Sequence, residues 1–201
     1  MSKKDILRHA AEFKQAIDGN KYELSERGIY IPGAKVFIGG LYTHFAPRDG
    51  LGWQETPNIV TNEGLTDILS VYLKSGTQKT SWYLSLFTGN YTPLAGLTAA
   101  TYPSTATENT SNTEGYTETN RQTWTGGAIS GNAVNNTSSM AAFTFASATS
   151  VVVYGAAMHN IATRGATTGV LLSASKFSPS ARTLYDGDVF NLSWQLTLTS
   201  S

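Results

Sequence analysis

Hydrophobic positions recur along this chain in two rhythms, and the change from one to the other falls near Gly76. Ahead of it, Ile6, Ala10, Phe13 and Ile17 recur at i, i+4, i+7 and i+11, which stacks them on one face of a helix over residues 3–18. Gly19-Asn20 supplies its stop. That face is narrow, so the helix needs a surface to lie on, either its own domain or a neighbouring subunit. A second helical stripe joins Leu65, Ile68, Leu69, Tyr72 and Leu73. Asn62 is placed to cap this helix, Glu63 to meet its dipole and Gly76 to end it. Its stripe predicts a helix embedded in the core.

Between the two helices, Val36 to Tyr42 and Trp53 to Val60 read as strands around the turn Pro47-Arg48-Asp49-Gly50, a hairpin expected at a sheet edge. After Gly76 the period falls to two. Trp82–Phe87, Arg121–Trp124, Ala142–Phe145, Val151–Ala156 and Gly169–Ala174 read as short strands. In the last strand Phe190, Leu192, Trp194, Leu196 and Leu198 alternate with Asn191, Ser193, Gln195, Thr197 and Thr199. One face of that strand is therefore apolar and the other polar. Residues 92–119 lack either rhythm and read as a functional surface loop or a loosely ordered excursion. Short strands with turn signals predict a mainly β fold, an antiparallel β-sandwich of jelly-roll-like type with one embedded helix. The N-terminal amphipathic helix and its linker, residues 1–34, form an attachment arm, and residues 35–201 form the β-sandwich domain.

Charge sharpens this division. The 201 residues carry 14 basic and 14 acidic side chains, so no single-sign field draws the protein to nucleic acid or anionic lipid. The charges are packed most densely in residues 3–27, and the chain beyond Gly76 is nearly uncharged and carries Thr and Ser instead. No apolar run approaches the ~20 residues that span a bilayer, and the charged start is unlike a secretory leader. With no cysteine, neither disulfides nor thiolate metal sites arise.

Catalytic constellations do not assemble from the sequence. His9, His44 and His159 fall in three separate segments without ligand spacing. A nucleophile elbow and a phosphate-cradling glycine loop are both missing. Glu114 and Glu118 beside Arg121 read as exposed ion pairs, and Asp186-Gly187-Asp188 as a turn. Trp82 and Trp194 fall on apolar strand faces. Trp53 and Trp124 are freer and are the candidate ligand-binding aromatics. No catalytic residue, metal site or cofactor is expected.

The runs Asn58-Ile59-Val60-Thr61-Asn62-Glu63-Gly64-Leu65 and Trp82-Tyr83-Leu84-Ser85-Leu86-Phe87-Thr88-Gly89-Asn90-Tyr91-Thr92-Pro93 resemble virion structural proteins of tailed bacteriophages. Tyr116–Trp124 and Thr168–Ala174 continue the resemblance, which covers about residues 36–199 and omits the N-terminal helix. It implies a non-enzymatic particle component made in the host cytoplasm and residing in the virion. The expected role is a capsid decoration or cement protein binding other virion proteins, with the subunit itself a homo-oligomer. Ile6, Ala10, Phe13 and Ile17 are then its protein-binding residues. A neck, tail or fibre-anchoring component is the alternative within the virion, and a carbohydrate-binding module is the alternative outside it.

Overall fold

Alternation along the strands decides which residues meet inside, and the fold follows from it. The computed structural model describes residues 23–25, 28–30 and 36–200. The helix expected over 3–18, with Ile6, Ala10, Phe13 and Ile17, lies outside these described residues. The chain divides into two units, Met1–Phe37 with Thr199–Ser201, and Ile38–Leu198. In the first, β1 (Glu23–Ser25) pairs antiparallel with β2 (Gly28–Tyr30).

The second unit is built on β3 (Val36–Phe45), β4 (Trp53–Val60), helix α1 (Asn62–Leu73), β5 (Trp82–Phe87), β6 (Gly115–Tyr116), β7 (Gln122–Trp124) and β8 (Ala133–Asn135). It continues through β9 (Ala141–Ala146), β10 (Val151–Val153), β11 (Gly155–His159), β12 (Leu171–Lys176), β13 (Arg182–Leu184) and β14 (Val189–Ser200). One sheet runs in the order β6-β9-β14-β3-β4-β12-β11-β5-β7, with β8 alongside β14, and β10 pairs separately with β13. The fold is mainly β and antiparallel, as expected. The 10-stranded sheet is curled on itself into a half-barrel, whose two halves both contribute to the main core.

The end strand β7 comes back against β9. Trp124 sits at that seam: its Nε1 donates to the Trp194 carbonyl at 3.1 Å, and the two indoles meet edge to face at 5.5 Å. Inside the curl, Leu84, Leu86, Met158, Phe143, Phe145 and the inward row Phe190, Leu192, Trp194 form the main core. Burying each such side chain contributes about 1.5–3 kcal/mol before the entropy of ordering is set against it.

A smaller core covers the outer face of the sheet. Leu97, Ala99, Tyr102 and Ala106 lie on Phe87, Ala157, Leu171 and Ala174. The excursion over 92–119 is thus a packed cover with a π-helical turn at Pro103–Thr107, not a loose loop. Strands β5, β11 and β12 are sandwiched between both cores, which explains their nearly continuous burial. Gly155 on β11 is needed for close approach within the sheet, because any Cβ there would run into the Ser175 carbonyl and the Phe87 ring.

Three expectations are corrected. The hairpin of β3 and β4 lies in the middle of the sheet, between β14 and β12, because both its outer edges are paired. Helix α1 lies on the surface: within it only Gly64 is buried. Thr61, rather than Asn62, is the N-cap, its Oγ1 accepting from the Gly64 N–H at 3.0 Å. A Cβ on Gly64 would stand 2.6 Å from the Leu172 carbonyl, so glycine lets the helix root touch β12. At the other end Ser75 takes φ 56°, and the Gly76 N–H returns to the Ser70 carbonyl at 2.9 Å.

Candidate functional site

The two ends of the curled sheet are built from different chemistry. Phe45 opposite Trp53 marks one end, and Trp82 opposite Trp124 marks the other.

At the Phe45 end, the turns after β3 and before β14 are locked by arginines. Arg182 is fully buried on β13, and its guanidinium grips Asp49 with two nitrogens and the Gly52 carbonyl at 2.8 Å. Its Nη1 also meets His44 Nδ1 at 3.2 Å. Arginine can only donate, so Nδ1 accepts and the imidazole proton sits on Nε2, which donates to Thr56 Oγ1 at 3.2 Å. The ring stacks on Phe177 at 3.9 Å. Burial, then the Arg182 charge, pushes the His44 pKa down to about 3, so the ring is neutral. Nearby, Arg48 donates to Asp188 at 2.6 Å and to the Asp186 carbonyl at 2.7 Å. Asp186-Gly187-Asp188 is the expected turn, with Gly187 at φ 76°.

Over the outer face runs a second polar network. Ser85 Oγ lies 2.8 Å from His159 Nε2 and 2.8 Å from the Tyr102 hydroxyl. A serine on a histidine is the geometry of an activated nucleophile. Here all three side chains are sealed from solvent. Burial foremost, with the Arg121 charge second, holds His159 well below the usual histidine range. Its Nδ1 has no partner, so no carboxylate orients the ring as a catalytic acid would. The carboxylate nearby is otherwise occupied: Glu108 takes both Arg121 Nε at 2.7 Å and Nη2 at 2.8 Å, plus the Gly165 N–H at 3.0 Å.

Arg164 ties the neighbouring loop. It donates to carbonyls of Asn109, Ser111, Tyr116 and Glu118, and its guanidinium lies 3.8 Å over the Tyr116 ring. The carboxylates expected as exposed pairs with Arg121 cap backbone instead. Glu118 accepts from the Thr144 N–H at 3.0 Å, and Glu114 from Ser147 Oγ at 2.7 Å and the Ala148 N–H at 3.1 Å. Among the described residues, no three His, Asp or Glu side chains converge in a way that could hold a metal ion.

The Trp82 end is different. Val60, Ile68, Trp82, Trp124 and Leu196 lie against the main core but stay half-buried. Beside them α1 is fastened chiefly at its root, with Ile68 on the core and Asp67 paired to Lys79 further along. Glu63 accepts the Ala99 and Leu171 N–H groups at 2.8 and 2.7 Å, and Thr61 binds both the helix and β12. The rest of the helix leaves Leu69 57 % exposed, Tyr72 86 % and Leu73 69 %. Spacing of three and four residues puts these three on one face.

Of the residues singled out in the sequence, Trp53 is 54 % exposed and leans on Phe45 at 5.1 Å between ring centres. Trp124 is half-buried, with its N–H and one edge used by the Trp194 seam. What sequence reading missed were Arg121, Arg164 and Arg182 as organisers. A signal was present for Arg164 and Arg182, which stand apart in a stretch with few charges, because a charge within a packed region needs a fixed partner; Arg121 reads from the sequence only as an exposed partner of Glu114 and Glu118. No helix among the described residues is long and apolar enough to cross a membrane. No protein-family model matches the chain, and a search of curated proteins finds no significant match.

Proposed function

We propose that this chain is a non-enzymatic structural subunit of a tailed-bacteriophage virion, a decoration or cement protein that binds neighbouring capsid subunits. One observation carries the reading. Helix α1 is held rigidly at its root, yet it presents Leu69, Tyr72 and Leu73 uncovered. A folded surface that keeps large apolar side chains in water is a surface for a protein partner. Covering them contributes about 25 cal/mol per Å² of apolar area, less the ordering cost of association. The resemblance over residues 36–199 supplies the virion as the setting, and residues 3–18 remain the proposed attachment arm. Two sheet halves facing across one core support the jelly-roll-like sandwich as the architecture.

The internal chemistry is consistent with a subunit that performs no turnover. The Ser85–His159 pair is closed to solvent, and Arg121, Arg164 and Arg182 bind carboxylates and carbonyls of their own chain.

Copy number tests the proposal. Quantitative mass spectrometry of purified particles is expected to find the chain at hundreds of copies, as a shell component requires. A small multiple of three or six moves it to the neck or tail, and its absence from particles overturns the reading.

A further inference from the structure

We infer that a groove between α1 and the segment leading into β5 is a binding site for a neutral sugar ring. The groove has a volume of about 230 Å³ and is lined by Asp67, Ile68, Val71, Tyr72, Gln78, Lys79 and Trp82. That is below the roughly 300–1,000 Å³ usual for drug-sized ligands, so it suits a single ring. Neither Trp53 nor Trp124 lines it.

Its chemistry selects the occupant. Tyr72 and Trp82 offer aromatic surface, one 86 % exposed and the other half-buried, for the C–H face of a pyranose. Asp67 Oδ1 pairs with Lys79 at 2.9 Å, and both side chains are mostly buried. This pair leaves the second Asp67 oxygen, a Lys79 proton and the exposed Gln78 amide to meet hydroxyl groups, which both donate and accept. A purely apolar group seated in the groove would cover this ion pair and satisfy none of it, which is costly. A charged ligand would be repelled by one member of the pair as strongly as it was attracted by the other. A hydroxylated, uncharged ring fits both conditions.

Such an open groove gives weak affinity per site, with a Kd on the order of 1 mM. Display on many copies raises the avidity without any new contact. The site stands whether or not the chain belongs to a particle.

The test is saturation-transfer NMR on the full chain, with the methyl glycosides of glucose, galactose, mannose and N-acetylglucosamine as probes. At least one is expected to receive signal on its ring protons. Tyr72→Ala weakens that binding about tenfold by removing the exposed platform, whereas Tyr72→Phe and the control Leu69→Ser retain it. A melting temperature unchanged in Tyr72→Ala shows that the loss is local. If no glycoside receives signal from the wild type, or if Tyr72→Ala binds as well as wild type, the site is overturned. It is also overturned if Tyr72→Ala loses only particle joining, which marks the groove as a socket for another subunit.

Discussion

The two ends of the curled sheet answer the same problem in opposite ways. Both must close off a core whose strands stop at the surface. At the Phe45 end, Arg182, Asp49, His44, Arg48 and Asp188 knit the turns together until few donors or acceptors are free. At the Trp82 end, Val60, Ile68, Trp82, Trp124 and Leu196 are only half covered, and α1 stands beside them with its outer stripe bare. One end is closed by its own chain, and the other is left with apolar side chains exposed. In a chain with so few charges, placing buried ion pairs at one end and leaving apolar surface at the other separates stability from contact.

Substitutions break this comparison where it is wrong. The largest loss is expected at the closed end. Arg182→Ala leaves Asp49 buried without its cation and lowers unfolding free energy by about 3–5 kcal/mol, read from urea midpoints at constant slope. Arg121→Ala, which abandons the fully buried Glu108, falls in the same range.

Acid comes next. His44 and His159 are both held below the ordinary histidine range, so the unfolded chain takes up protons that the folded chain refuses. Their contribution is complete above about pH 6.5 and is lost as pH falls from there toward about 3 for His44. Each costs about 1.4 kcal/mol per pH unit once the unfolded ring is protonated. Urea midpoints between pH 7 and 4 should fall steeply, and His159→Gln should flatten the slope. A midpoint that is level over this range contradicts the neutral, buried rings.

At the helix root, Gly64→Ala forces a methyl group against the Leu172 backbone and costs about 1–3 kcal/mol, visible as a lower melting temperature. Smallest of all is the open end. Leu69→Ser with Leu73→Ser should change unfolding free energy by less than about 1 kcal/mol, because both side chains already face water.

The legible parts of this fold were those fixed by local rhythm. Alternation over Phe190–Leu198 placed Phe190, Leu192 and Trp194 in the core, and the 3.6-residue spacing over Leu65–Leu73 placed α1. Rhythm does not say what a face meets. The stripe of α1 reads as core-facing, yet its outer half has no partner in the described unit, because a stripe for a neighbour and a stripe for one's own core have the same spacing. The cover over 92–119 was illegible for the opposite reason. Leu97, Ala99, Tyr102 and Ala106 obey no single period, since a cover follows the surface beneath it. The arginine networks join residues 13 to 140 positions apart, a distance at which local pattern carries no information.

The most direct test asks whether the open end is what joins this subunit to others. Occupancy of purified particles by the Leu69→Ser/Leu73→Ser double variant, supplied in place of wild type, can be counted by mass spectrometry alongside its urea midpoint. The account predicts an unchanged midpoint with occupancy reduced about tenfold or more. Full occupancy by an equally stable variant would contradict it.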